Sequence, residues 1–177
     1  MLLGFPLFGA VYFYAQFRAH QKENKKVPFT PFQPSLMTLL EGGDTDNRIK
    51  IPLKKSITVV NFWASWCPPC VEEFPAMLEL WRQTKDYDVD FIFVSVNEKW
   101  SEVVEFQNRF NMNIARTNNL WDPEKKLAEN WGTQKFPETY VISRDGWVLE
   151  KIIGLQTWTR PSVIKYFRDL GEKYKNL

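Results

Sequence analysis

The stretch VVNFWASWCPPCVEEFP, Val59 to Pro75, holds both cysteines of the chain, Cys67 and Cys70, and places them where two periodicities meet. Upstream, ITVVNFW (Ile57 to Trp63) is a short apolar run with β-branched residues, the pattern of a strand buried on both faces. Downstream, from Cys67 to about Thr84, apolar residues recur at Phe74, Met77, Leu78 and Trp81, which is helical spacing, with Pro75 expected to kink the helix. Cys67 thus faces the unpaired N–H groups and positive end of a helix, a setting that favours thiolate, the form that attacks a disulfide. Cys70, one turn further on, is placed to resolve the mixed disulfide and is expected to be the more buried thiol. Pro68 and Pro69 lack N–H groups and fit the first helical turn, where no intrahelical donor is needed.

No other cysteine is present to pair with either one, so a structural disulfide framework is excluded. The single histidine, His20, leaves too few N/S ligands for a structural zinc site, and no metal or cofactor is expected. No histidine stands between the cysteines, so one contributor to a strongly oxidising potential is missing; a reductant is favoured over an oxidant.

Outward from this centre the pattern continues. VDFIFVSV, Val89 to Val96, reads as a second buried strand, and Ser101 to Phe110 as a helix burying Val103, Val104, Phe106 and Phe110. Asp122 and Pro123 are expected to open a short helix as N-cap and first helical residue, stopping near Gly132. Thr139 to Ser143 and Trp147 to Ile153, separated by Arg144, Asp145 and Gly146, form a hairpin signature. A last helix runs from about Pro161 to Tyr174, with Val163, Ile164, Phe167 and Leu170 facing the sheet. The order βαβα(α)ββα predicts an α/β domain: a mixed sheet with helices on both faces and right-handed crossovers.

The N-terminal region differs in composition. Leu2 to Phe17 is almost wholly apolar, and Arg18, Lys22, Lys25 and Lys26 follow it. As a helix, that segment would rise roughly 24 Å against a hydrocarbon core of roughly 30 Å, a marginal span. No basic region precedes it and no Ala-x-Ala site follows, so an uncleaved anchor is favoured over a cleaved signal peptide, although the basic residues lie on the side the positive-inside rule assigns to the cytoplasm. The prolines of Val27 to Pro34 make an extended spacer, and Gly42, Gly43, Asp44 and Asn47 suggest an irregular strand pair between Leu39 and Ile49. The expected organisation is an anchor over residues 1–18, a linker over 19–35 and one domain over 36–177. Hydrophobic residues make up 44% of the chain and aromatics 16%, enough to build that core. A net charge of +2 gives no broad basic field, so nucleic acid is not expected as a partner.

The quoted stretch resembles the active-site segment of the thioredoxin superfamily, in particular its membrane-anchored branch of TlpA-like and cytochrome c biogenesis (DsbE/CcmG-type) thiol-disulfide oxidoreductases. The similarity runs from about Ile57 to Gly154, with GTQKFPETYVISRDG (Gly132 to Gly146) matching a second signature. The resemblance implies a thioredoxin fold with Pro137 as a cis-proline facing the cysteines and the Phe136 backbone offered to a substrate strand. Where cytoplasmic thioredoxins carry a buried Asp, this chain has Asn61. Glu73 matches a glutamate of the anchored reductases and Glu138 one in their Pro-Glu-Thr segment; both are candidates for handling the Cys70 proton. Glu73 stands against Glu72, which reads as an exposed helix residue. Trp66 is expected to flank the sulfurs as an apolar platform, with Pro68, whereas Trp63 belongs to the core.

The resemblance further implies a protein disulfide substrate such as apocytochrome c, a membrane thiol-electron donor, and a domain on the periplasmic side of the cytoplasmic membrane. Three rival readings are a peroxiredoxin-like peroxidase, whose Pro-x-x-x-Thr-x-x-Cys pattern is missing, a Cu(I)-binding or redox-sensing protein, which lacks a Met- or His-rich segment, and a redox-inert interaction domain.

Overall fold

The computed structural model describes residues 38–39, 55–110, 118–144 and 148–175. The apolar segment Leu2 to Phe17, the linker, the turn-rich patch at Gly42 to Asn47 and the hairpin turn at Asp145 to Trp147 lie outside the described residues. Six strands form one mixed sheet: β1 (Thr38–Leu39), β2 (Ile57–Trp63), β3 (Val89–Ser95), β4 (Asn118–Trp121), β5 (Glu138–Ser143) and β6 (Val148–Ile153), in the order β1-β4-β3-β2-β5-β6. Among the described residues four α-helices accompany them: α1 (Pro68–Thr84), α2 (Trp100–Arg109), α3 (Lys126–Asn130) and α4 (Pro161–Lys175). This is a thioredoxin-like α/β fold.

All seven residues of β2 are buried because the strand lies between parallel β3 and antiparallel β5. Its two faces meet different layers. Trp63 packs against Phe74 of α1 at 5.0 Å and Phe106 of α2 at 4.4 Å, and Phe91, in register with Val59, meets Phe167 of α4 at 6.4 Å. Phe62, one residue away and so on the opposite face, packs on Trp131 beside α3 at 5.5 Å and on Tyr140 at 5.8 Å. Right-handed crossovers between the parallel strands put α1 and α2 on one face, since β2 to β3 and β3 to β4 step the same way; the chain then returns past α3 on the other face to antiparallel β5.

Several expectations need correction. The element order omitted β4, whose NNLW has two residues of low strand propensity and is drawn into the sheet by pairing with β3 and β1. Asp122 is not the residue adjoining α3. The helix starts at Lys126, after a turn in which the Lys125 N–H donates to the Asp122 carbonyl and Pro123 takes the second position. The Asp122 carboxylate still caps from a distance, accepting from the Ala128 N–H at 2.9 Å. On α2 the buried side takes in Gln107 rather than Val104. As expected, α1 runs to Thr84 with Pro75 inside it.

Candidate active site

Cys67 is the N-cap of α1, with extended backbone angles, and its Sγ accepts the Cys70 N–H at 3.3 Å. The two sulfurs are joined in a disulfide. Both cysteines are buried, Cys70 the more so at 1% exposure against 5%. Pro68 and Pro69 occupy the first helical turn, where their missing N–H groups cost nothing.

The approach to Cys67 is held by a residue that sequence reasoning missed. Asn97, fully buried just beyond β3, accepts from the Ser65 N–H at 3.0 Å and donates from Nδ2 to Ser65 Oγ at 2.6 Å and Glu102 Oε2 at 2.9 Å. Trp121 Nε1 donates to its carbonyl at 2.7 Å. The signal was positional only: a polar residue at the carboxyl end of a parallel strand, where α/β sheets assemble their sites.

The segment before β5 meets the active-site turn at Trp66, the residue that precedes Cys67. The Phe136-Pro137 bond is cis. Phe136 is half-buried and meets the Trp66 ring edge-on at 6.0 Å, while Lys125 Nζ lies 5.6 Å from the Trp66 ring centroid. Trp66 is 53% exposed and Pro68 is also exposed, so an apolar rim borders the buried disulfide.

The structure puts the two candidate carboxylates on opposite faces of the sheet. Glu73 shares the α1 face with Asn61. It is 3% exposed, and its oxygens accept from Asn61 Nδ2 at 3.3 Å, Trp158 Nε1 at 3.0 Å and the Gln156 N–H at 3.1 Å. Asn61 donates also to Thr139 Oγ1 at 2.9 Å, so it tethers α1 to β5 through neutral groups. Burial pushes the Glu73 carboxyl above its usual range, and the three hydrogen bonds offset this only in part. Glu138 is in register with Phe62 and so faces the α3 layer. It is 2% exposed, lies 3.2 Å from Lys151 Nζ and accepts from Tyr140 Oη at 3.0 Å. Nothing in the sequence separates the two; their environments depend on strand parity and on loops distant along the chain.

A disulfide at a helix N-terminus, beside a buried protonatable carboxyl and an exposed aromatic rim, is suited to exchange with another disulfide. Comparison with known proteins agrees with that chemistry. The family described as Redoxin matches residues 22–168. The thiol-disulfide oxidoreductase ResA of Bacillus anthracis is 33% identical over 105 residues, covering 59% of this chain and 59% of that protein. The thiol:disulfide interchange protein DsbE of Allochromatium vinosum is 30% identical over 116 residues, covering 62% of this chain and 61% of its own. Among solved structures, StoA from Bacillus subtilis superposes with a TM-score of 0.57 at 25% identity, over 76% of this chain and 93% of that one.

Proposed function

The chain belongs to the Redoxin family, and from that premise we propose that it is a thiol-disulfide oxidoreductase that reduces disulfides in exported proteins. The observation that carries this reading is the Cys67–Cys70 disulfide at the start of α1, with Cys67 Sγ accepting the Cys70 N–H. In the reduced protein the Cys67 thiolate attacks one sulfur of a substrate disulfide, forming a mixed disulfide and releasing the other sulfur as a thiolate that takes a proton. Cys70 then loses its proton and attacks Cys67 Sγ, freeing the second substrate sulfur. Two electrons have passed to the substrate, and the Cys67–Cys70 bond is the product.

Glu73 takes the Cys70 proton in the second step. It lies on the same helix three residues on, and its raised pKa lets it hold a proton nearer neutrality than an exposed glutamate does. Glu138, pinned by Lys151 on the opposite face, serves instead to fix the start of β5 behind Pro137. Trp66, Pro68 and Phe136 form the surface on which the substrate segment lies. Apocytochrome c or another exported disulfide protein is the substrate we favour, with a membrane thiol donor restoring the dithiol and the segment Leu2 to Phe17 holding the domain on the periplasmic side of the cytoplasmic membrane. The support is the Pro-Pro dipeptide without histidine, the apolar segment and the likeness to ResA and DsbE.

Insulin reduction with dithiothreitol tests the activity: the wild type accelerates it and Cys67→Ser does not. Equal rates with and without the protein would refute the reading. Direction and side are tested separately. A glutathione titration should place the couple nearer about −270 mV than about −120 mV, and protease added to intact spheroplasts should digest the domain; an oxidising potential or full protection would contradict those parts.

A further inference from the structure

The loop between β6 and α4, which the resemblance did not involve, is fastened at both ends to the neighbourhood of the disulfide. At one end the Gly154 N–H donates to the Pro137 carbonyl at 2.8 Å, with Gly154 at φ +81°, a conformation that a side chain would strain. At the other end the Gln156 N–H and the Trp158 indole N–H both donate to Oε2 of Glu73. Leu155, 44% exposed, stands between the two fastenings. Trp158 is 2% exposed and packs on Phe167 at 6.5 Å, so its ring alone would pass for ordinary core. Its N–H, however, is given to a buried carboxyl. The other groups acting on that carboxyl are the neutral side chain of Asn61 and the backbone of Gln156, with Cys70 one turn back on α1; none is a cation.

We propose that Trp158 is a positioning residue for Glu73, its indole N–H and the Gln156 N–H fixing this carboxylate of the disulfide helix and tying its charge state to the β6–α4 loop. A carboxylate accepts these bonds strongly, and a neutral carboxyl accepts them more weakly. When Glu73 gains a proton, the loop therefore loosens at the Gln156–Trp158 end while Gly154 stays bound to Pro137. Burial favours the neutral carboxyl and the two loop donors favour the carboxylate, so the loop sets how far the Glu73 pKa stands above the ordinary value. The catalytic meaning of this coupling rests on the proton-handling role proposed above. The coupling itself does not, because it is present with the disulfide formed.

The test is an NMR titration of the oxidised full chain, following the Glu73 carboxyl carbon, the Trp158 indole N–H and the Gln156 amide together. All three should titrate with one midpoint above 4.5, and Glu73→Gln should abolish the titration at both loop groups. Trp158→Phe keeps a buried ring but removes the donor, and should raise the carboxyl midpoint by about one to two pH units. An indole and amide that stay flat through the Glu73 titration would overturn the proposal, as would an unmoved midpoint in Trp158→Phe. If that variant does not fold, the wild-type titration alone decides. Insulin reduction by the wild type is read separately, so loss of the coupling and loss of the oxidoreductase reading remain distinct results.

Discussion

Glu73, on the helix over one face of the sheet, and Glu138, on a strand and facing the other layer, are both buried, yet they have different company. Glu73 is surrounded by an amide, an indole and a backbone N–H, all neutral; Glu138 faces the ammonium of Lys151 and the hydroxyl of Tyr140. A buried carboxyl among neutral donors bears its desolvation cost only when ionised, so it is poised to take a proton. Glu138, by contrast, is tied at the start of β5 to Lys151 and Tyr140, contacts that bear on the scaffold. On the proposed mechanism, the two faces of the sheet separate a chemical role from a scaffolding one.

Removing the cation probes the difference between the two carboxyls with the largest effect. Lys151→Met leaves buried Glu138 without its charge partner, and because Lys151 is itself exposed the loss should be up to about 3 kcal/mol in urea denaturation, the cost of depriving a buried polar group of a partner. Adding Glu138→Gln to that variant should recover most of the loss. A Lys151→Met protein as stable as the wild type would show that the Lys151–Glu138 pair does not hold the fold.

A third carboxyl extends the rule. Glu150 on β6 accepts from Tyr166 Oη at 2.7 Å, and burial, opposed by that bond, pushes its pKa from 4.5 to about 7. A folded pKa above the unfolded one means that the native state binds the proton more tightly. The stabilisation is therefore complete below 4.5 and lost as pH rises through about 7. Stability should fall by up to about 3 kcal/mol across that window relative to Glu150→Gln, which has no proton to lose. Parallel urea midpoints for the two proteins from pH 4 to pH 8 would remove Glu150 from the account.

The smallest expected effect is the most selective. Glu73→Gln should slow the resolving step by about a hundredfold, a loss of the size general acid–base groups supply, and change its pH dependence. Glu138→Gln should leave that dependence alone. Identical profiles for the two variants would erase the distinction between the faces.

Much of this was legible in the chain. The run Ile57 to Trp63 and the helical spacing after Cys67 are strong patterns because β2 is buried on both sides and α1 on one. The cysteine positions follow from that junction alone. β4 was not legible, since Asn118-Asn119-Leu120-Trp121 owes its strand to its neighbours rather than to its own residues. Asp122 was recognised as a cap, but not that a turn would separate it from the helix whose N–H groups it accepts. Asn61 registered only as a missing aspartate, although its amide donates to Glu73. The backbone N–H of Gln156 and the indole of Trp158 left no trace, because contacts made across more than eighty residues of chain have no local pattern.

The central claim is that Cys67 attacks and Cys70 resolves. Alkylation of the reduced protein near neutral pH, with the modified peptides resolved by mass spectrometry, tests it most directly. The helix N-cap position and the greater burial of Cys70 predict that Cys67 is labelled well before Cys70. Equal labelling, or labelling of Cys70 first, would contradict it.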